Sequence, residues 1–287
     1  MSATPLRRIL VVPTILAAVV LSACTADTGT GFHASRISAD QPSPSAAPSA
    51  SASGTPSTPL SPTVAPAYKS LAWYVAQAPT FPPAPPPQPV PLPTDGSAPF
   101  WHRLPTEQKV AFITIDDGGL ARPSAVPDFI REAHIPVTMF LNSPAATEYT
   151  DYFRQIEAAG GVVENHTINH NSLKGRSYSY QKHEICGSAD KLESLFGKRS
   201  TLFRPPFGER DSTTTKAAHD CGMKAVFHWT ETVHEGKVRY QTPEKVVRPG
   251  DVLLMHFRPA LMDDLLAALK AIHRAGLTPA LLEDYVT

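Results

Sequence analysis

Basic clusters, long apolar runs and cysteine are all scarce in this chain of 287 residues. Its 26 basic and 26 acidic side chains cancel, which leaves no electrostatic footprint for nucleic acid. The apolar run at residues 9–21 is too short, at 1.5 Å per residue, to cross a hydrocarbon core of ~30 Å comfortably. There are three cysteines, Cys24, Cys186 and Cys221. No internal repeat is visible. Proline, in contrast, is abundant: of 30 in the chain, 17 lie between Pro42 and Pro99, interleaved with Ser, Ala and Thr.

These features divide the chain into three. Residues 1–23 carry Arg7-Arg8, the apolar run and Ser22-Ala23, the layout of a cleavable signal peptide. Leu21-Ser22-Ala23-Cys24 resembles the bacterial lipobox, so Cys24 is expected to carry a lipid and hold the mature protein outside the cytoplasm on the cell membrane. Residues 24–105 are expected to be a disordered, partly polyproline linker, since such a composition buries too little apolar surface to offset its ordering entropy. Leu71–Val75 stands out as an apolar island, a transient helix or a patch that packs on the domain. Phe100-Trp101 marks where the chain reaches the folded part.

Residues 106–287 have a globular composition and suffice for one domain. Five basic and three acidic residues precede Thr106, leaving 21 and 23 in the domain. Once Cys24 is set aside, Cys186 and Cys221 could pair in an exported domain or remain two buried thiols. Strand-like runs at 109–115, 137–141, 162–164, 201–203, 224–228 and 252–255, with a weaker one at 279–282, alternate with helix-like segments. Ile185, Ala189, Leu192 and Phe196 share one helical face, as do Leu261, Leu265, Leu269 and Ile272. Gly160 and Gly276 stand where helices should end. Such alternation predicts an α/β fold with a parallel sheet, open or closed into a barrel.

Polar residues mark the carboxyl ends of those strands: Asp116, Asp117, His166, Arg204, Trp229 and His256. In parallel α/β folds these ends share one face, where sites are built. Asp116-Asp117-Gly118 ends the first strand, and Gly118 and Gly119 permit a turn that splays the two carboxylates. His166 and His170 have the spacing with which two imidazoles share a metal. With one carboxylate they form a set that suits zinc with an open position, or non-haem iron.

Four segments in order resemble the motifs of the polysaccharide deacetylases, carbohydrate esterase family four with the NodB-homology domain. They are Thr114-Ile-Asp-Asp-Gly118, His166-x-x-x-His170, Phe203-Arg-Pro-Pro-Phe-Gly208 and Leu254-Met-His256. The resemblance spans 106–287 and implies a distorted (β/α) barrel of about seven parallel strands. It also implies hydrolysis of N-acetyl groups on a polysaccharide, with a divalent metal, zinc first and cobalt or nickel as alternatives. Carried over by position, Asp117, His166 and His170 hold the metal. Asp116 is the base for the attacking water, His256 the acid for the leaving amine, and Arg204 orients Asp116. Pro206, Phe207 and Trp229 line the substrate side, where a backbone N–H near Phe207 could meet an oxyanion. The expected partner is a wall polymer, peptidoglycan ahead of chitin oligosaccharides or acetylated xylan, acted on by a monomer.

Two positions depart from the family pattern. Gly119 replaces a proline, and the fourth motif lacks its aspartate in Phe227-His-Trp-Thr-Glu-Thr-Val-His234, where Glu231 is the candidate substitute for steadying Arg204. A carbohydrate-binding pseudoenzyme and a non-haem iron oxygenase are the competing classes.

Overall fold

The computed structural model describes residues 65–287. The expected signal peptide, Cys24 and the first part of the expected linker lie outside the described residues. In chain order the strands are β1 (Phe100–Trp101), β2 (Val110–Asp117), β3 (Thr138–Leu141), β4 (Val162–Asn165), β5 (Leu202–Phe203), β6 (Ala225–Phe227), β7 (Glu231–His234), β8 (Lys237–Tyr240), β9 (Val252–His256) and β10 (Thr278–Ala280). The helices are α1 (Leu71–Gln77), α2 (Val126–Glu132), α3 (Ser143–Glu148), α4 (Thr150–Ala158), α5 (Tyr178–Phe196), α6 (Ser212–Asp220) and α7 (Leu261–Arg274).

The strands form one sheet in the order β1-β6-β5-β4-β3-β2-β9-β7-β8, and β10 pairs with the start of β2. Every pairing is parallel except the β7–β8 hairpin. The sheet curls into a half-barrel whose edges, β1 and β8, do not meet. The seven strands expected from the sequence are β2–β6, β9 and β10. The hairpin adds two more, turning at Glu235 and Gly236, both with positive φ, as a two-residue hairpin turn requires.

The alternation of β2 explains how a buried strand can both make a core and carry a site. Ala111, Ile113 and Ile115 face outward into the apolar layer beneath the helices. Val110 and Phe112 face into the curl with Phe140, Leu202, Phe227 and Val252. Thr114 and Asp116 continue that inner row, since side chains two apart share a face. Helices α5 and α7 close the outer layer with the stripes read from the sequence: Ile185, Ala189 and Leu192 on one, Leu261, Leu265, Leu269 and Ile272 on the other, all buried. Gly160 and Gly276 follow helix ends at φ 100° and 68°. Cys186 and Cys221 form a disulfide that joins α5 to the end of α6. Across 35 residues such a link is worth roughly 3–4 kcal/mol in the chain-entropy picture.

The expected linker boundary at residue 105 moves back. Residues 65–105 lie along the domain: Tyr74, Val90, Ala98 and Leu104 are buried, β1 pairs with β6, and the Tyr74 hydroxyl donates to Asp263 at 2.8 Å. The composition argument fails here for a definite reason. This segment needs no core of its own, because isolated apolar side chains insert into the domain's core, and prolines that fix φ reduce the entropy lost on ordering. A chain beginning at Ala65 is therefore expected to melt like the full-length protein. One beginning at Pro99 loses Tyr74, Val90 and Ala98 and should be destabilised by about 3 kcal/mol or more; equal unfolding midpoints would refute the docking.

Candidate metal centre and active site

The turn that separates the two aspartates sits one residue earlier than the sequence suggested. Asp117 has φ 77° and Gly118 φ 100°, whereas Gly119 keeps an ordinary backbone. Gly118 is also closely packed: a Cβ there would lie 2.6 Å from Phe153 Cζ. Asp116 thus stays on the inner face, buried, while Asp117 swings over the strand end. Strain is concentrated around this point. Thr167 at φ 72°, His170 at 55° and Phe207 at 60° join Asp117 in the left-handed region, a cost that surrounding structure must hold in place.

Asp117, His166 and His170 each present one ligand atom within 4.8 Å of the others. The spacing of the two histidines is met by a loop, not a helix. Thr167 N–H donates to Asn165 Oδ1 at 2.9 Å and His170 N–H to Thr167 Oγ1 at 3.0 Å. Buried Glu184, from α5, accepts from Asn169 N–H at 2.9 Å and Asn169 Nδ2 at 2.8 Å. Asn165, Thr167, Asn169 and Glu184 were all missed in the sequence; a polar run on both sides of His166 was the available signal.

These residues fit a divalent cation. His166 Nδ1 lies 2.7 Å from the Arg204 carbonyl, which fixes the proton on Nδ1 and leaves the Nε2 lone pair toward the site. His170 Nε2 is 3.1 Å and His166 Nε2 3.5 Å from Asp117 Oδ1. Yet that oxygen is buried with no hydrogen-bond partner: neither ring aims an N–H at it. A buried carboxylate oxygen without a donor is costly, and a cation would relieve it. Burial pushes the Asp117 carboxyl up; only protonated, donating imidazoles at His166 and His170 would offset this and hold it below the usual carboxylate range. Asp117 in turn pushes His170 up.

Arg204 is fully buried and organises the other half. Its Nη1 donates to Asp116 Oδ1 at 2.7 Å and to Thr114 Oγ1 at 2.8 Å, and its Nη2 to the His228 carbonyl at 2.9 Å. Its guanidinium lies over the Phe140 ring, 4.3 Å from the centroid. Asp116 Oδ2 is left free of Arg204, 3.8 Å from His166 Nε2. His256, level with Asp116 on the neighbouring strand, brings Nε2 to 4.0 Å from Asp117 Oδ2; burial pushes its imidazole down. Buried Pro206 begins the turn that presents Phe207, 64% exposed, with its ring 4.8 Å from that of His170. That turn's own hydrogen bonds use the N–H groups of Gly208 and Glu209. Trp229 is half-buried, stacked on His228 at 3.8 Å.

Glu231 does not replace the missing acid. It is buried on β7 and accepts from Thr230 Oγ1 at 2.6 Å, with no hydrogen bond to Arg204. Its own neighbours are Asp251 and Arg103. Burial, with Asp251 adding to it, pushes its carboxyl up to about 8. Glu231→Gln should therefore leave turnover unchanged. It should also remove a pH dependence. The native state keeps the Glu231 proton while the unfolded chain releases it near 4.5, so stability falls as pH rises from about 4.5 to about 8. Unfolding midpoints of the parent should decline through that window relative to Glu231→Gln; parallel curves would contradict this.

A cavity of about 580 Å³ lies at the other end of the sheet, lined by Phe81, Ile135, Gly160 and Thr278 near the strands' amino ends, and has no part in this chemistry. At the carboxyl ends, by contrast, Asp116, Asp117, His166, His170, Arg204, Phe207, Trp229 and His256 gather on one face, and Glu231 does not join them. A family profile described as polysaccharide deacetylase matches residues 103–226. An uncharacterized protein of Streptomyces coelicolor is 37% identical over 186 residues, covering 63% of this chain and 74% of that protein. A peptidoglycan-N-acetylglucosamine deacetylase of Bacillus cereus is 27% identical over 152 residues, 51% of this chain and 55% of that one. Among solved structures, a pseudoenzyme of carbohydrate esterase family four from Bacillus anthracis shares the fold at a TM-score of 0.57 and 18% identity, over 67% of this chain and 70% of that chain. Sheet order, strand-end residues and these matches agree, and the chain belongs to the polysaccharide deacetylase family.

Proposed function

We propose that this protein is a metal-dependent hydrolase that removes N-acetyl groups from a cell-wall polysaccharide, with peptidoglycan amino sugars as its substrate. The observation that carries this is the juxtaposition of an arginine-anchored carboxylate, Asp116, with the Asp117, His166 and His170 set. A bound divalent cation, zinc for this nitrogen-rich set, would polarise the acetyl carbonyl and acidify the attacking water.

The chain's own residues supply the rest. Arg204 fixes Asp116 through Oδ1 and leaves Oδ2 to take a proton from water. His256, across the site, gives a proton to the departing amine, which cannot leave as an anion. The exposed ring of Phe207 and the Trp229 side chain offer apolar walls for a sugar. The expected lipid on Cys24 and the linker behind it, which would hold the enzyme beside the wall, favour that polymer over chitin oligosaccharides or acetylated xylan. The altered fourth motif favours the pseudoenzyme reading, but Thr114 and the His228 carbonyl already hold Arg204.

Acetate release by the zinc-loaded protein from purified cell walls, chitin oligomers and acetylated xylan tests the reading. Release from walls is expected to be fastest; none from any of the three would leave only a binding role. In the cell, a lipid on Cys24 would hold the enzyme at the membrane beside its polymer. Cys24→Ser should then move it to the soluble fraction, and an unchanged membrane fraction would rule the anchor out.

A further inference from the structure

Gly208, next to Phe207, opens onto a groove of about 340 Å³ that it lines with Phe100, His102, Lys174, Glu209, Arg210 and His228. We propose that this groove is a second sugar subsite, one that recognises a carboxylate-bearing sugar next to the amino sugar that loses its acetyl group. The proposal rests on the deacetylase reading and names the kind of polymer it acts on.

Continuity with the reaction centre comes first. His228 gives its carbonyl to Arg204, and Gly208 follows Phe207 at φ 71°. A side chain at Gly208 would collide with the His228 ring, so glycine there lets the turn lie against the imidazole. The wall itself suits a sugar ring. His228 stacks on Trp229, its centroid is 4.4 Å from that of His102, and Phe100 lies 5.1 Å from His102. Burial pushes His228 down to about 4, so this part of the wall is a neutral flat surface at physiological pH.

Charge then selects the ligand. Arg210 is held with its guanidinium 3.9 Å from the centre of the Phe100 ring. Among the described residues, neither Arg210 nor Lys174 has a carboxylate within 4.0 Å. The nearby acids are occupied: Glu209 accepts from the Ser172 hydroxyl, and Asp211 caps α6 and accepts from Gly175 N–H. The lining thus carries two cations against one anion, Glu209, and this excess of positive charge favours an anionic ligand. A carboxylate on the sugar, such as the lactyl group of N-acetylmuramic acid, would meet both.

The test compares four substrates: a neutral N-acetylglucosamine oligomer, a peptide-free alternating wall glycan with free lactyl carboxylates, that glycan methyl-esterified, and a glycan bearing stem peptides. The Lys174→Gln/Arg210→Gln protein is expected to raise KM about five- to tenfold on the free-carboxylate glycan, the size two partly exposed charge pairs allow. Its kcat, its melting temperature and its KM on the neutral and esterified glycans should not change. Equal effects on all substrates, or none on the carboxylated glycan, would overturn the subsite. A preference seen only with stem peptides would overturn the sugar carboxylate as the ligand. Calorimetric binding of the same glycans to the Asp116→Asn protein reads the subsite even if no acetate is ever released, which separates its failure from that of the deacetylase reading.

Discussion

Arg204→Met should be the most damaging single change in the domain, lowering stability by roughly 3–5 kcal/mol and reducing turnover to background. The guanidinium is completely buried and donates to Asp116, Thr114 and the His228 carbonyl. Methionine fills similar space over Phe140 but removes every donor. Asp116, itself 3% exposed, is then left as a buried carboxylate without its counter-charge, and two further acceptors lose a partner. The double variant Arg204→Met/Asp116→Asn separates these effects. With the charge gone, most of the lost stability should return in urea unfolding, while activity should not. Additive losses in the double variant would mean that the pair is not coupled.

Asp116→Asn is the second large effect, and it falls on rate alone. The amide keeps the shape and can still accept from Arg204 through its carbonyl oxygen, so folding should be near parental. An amide cannot take a proton from water, and loss of a general base typically costs about a hundred- to ten-thousandfold. An enzyme within tenfold of the parent would remove Asp116 from the base's role.

The two variants depend on features that differed in how legible they were. Strands β2 to β6 and β9 could be read because their apolar runs are bounded by Gly, Pro or polar residues. The convergence of Asp116, Asp117, His166, Arg204 and His256 could be read because these side chains sit at strand ends in motif order. The β7–β8 hairpin was missed although Thr232, Val233 and Val238 are β-branched; a Glu235-Gly236 turn is a weaker hairpin signal than Asn-Gly. The ordered segment 65–105 was missed because composition reports whether a stretch can build its own core, not whether a neighbour offers one. Glu231 was misjudged for a related reason. Position 231 falls near the absent acid in sequence, but β7 joins the sheet beside β9, which places its carboxyl with Asp251. Arg204 instead bonds the backbone of His228, a contact with no sequence signature. The Glu184 clamp on the histidine loop needs α5 packed against β4, and so could not be read from either segment.

The division of labour between the adjacent carboxylates is the centre of the account, and bound zinc is its most direct measure. Parent, Asp116→Asn and Asp117→Asn proteins, stripped of metal and dialysed against the same zinc solution, should separate cleanly. Asp116→Asn is expected to take up zinc as the parent does, because Asp117, His166 and His170 remain. Asp117→Asn loses the buried anionic oxygen that has no other partner and should bind distinctly less, recovering only with excess zinc. Zinc lost from Asp116→Asn and retained by Asp117→Asn would reverse the two roles and contradict the account.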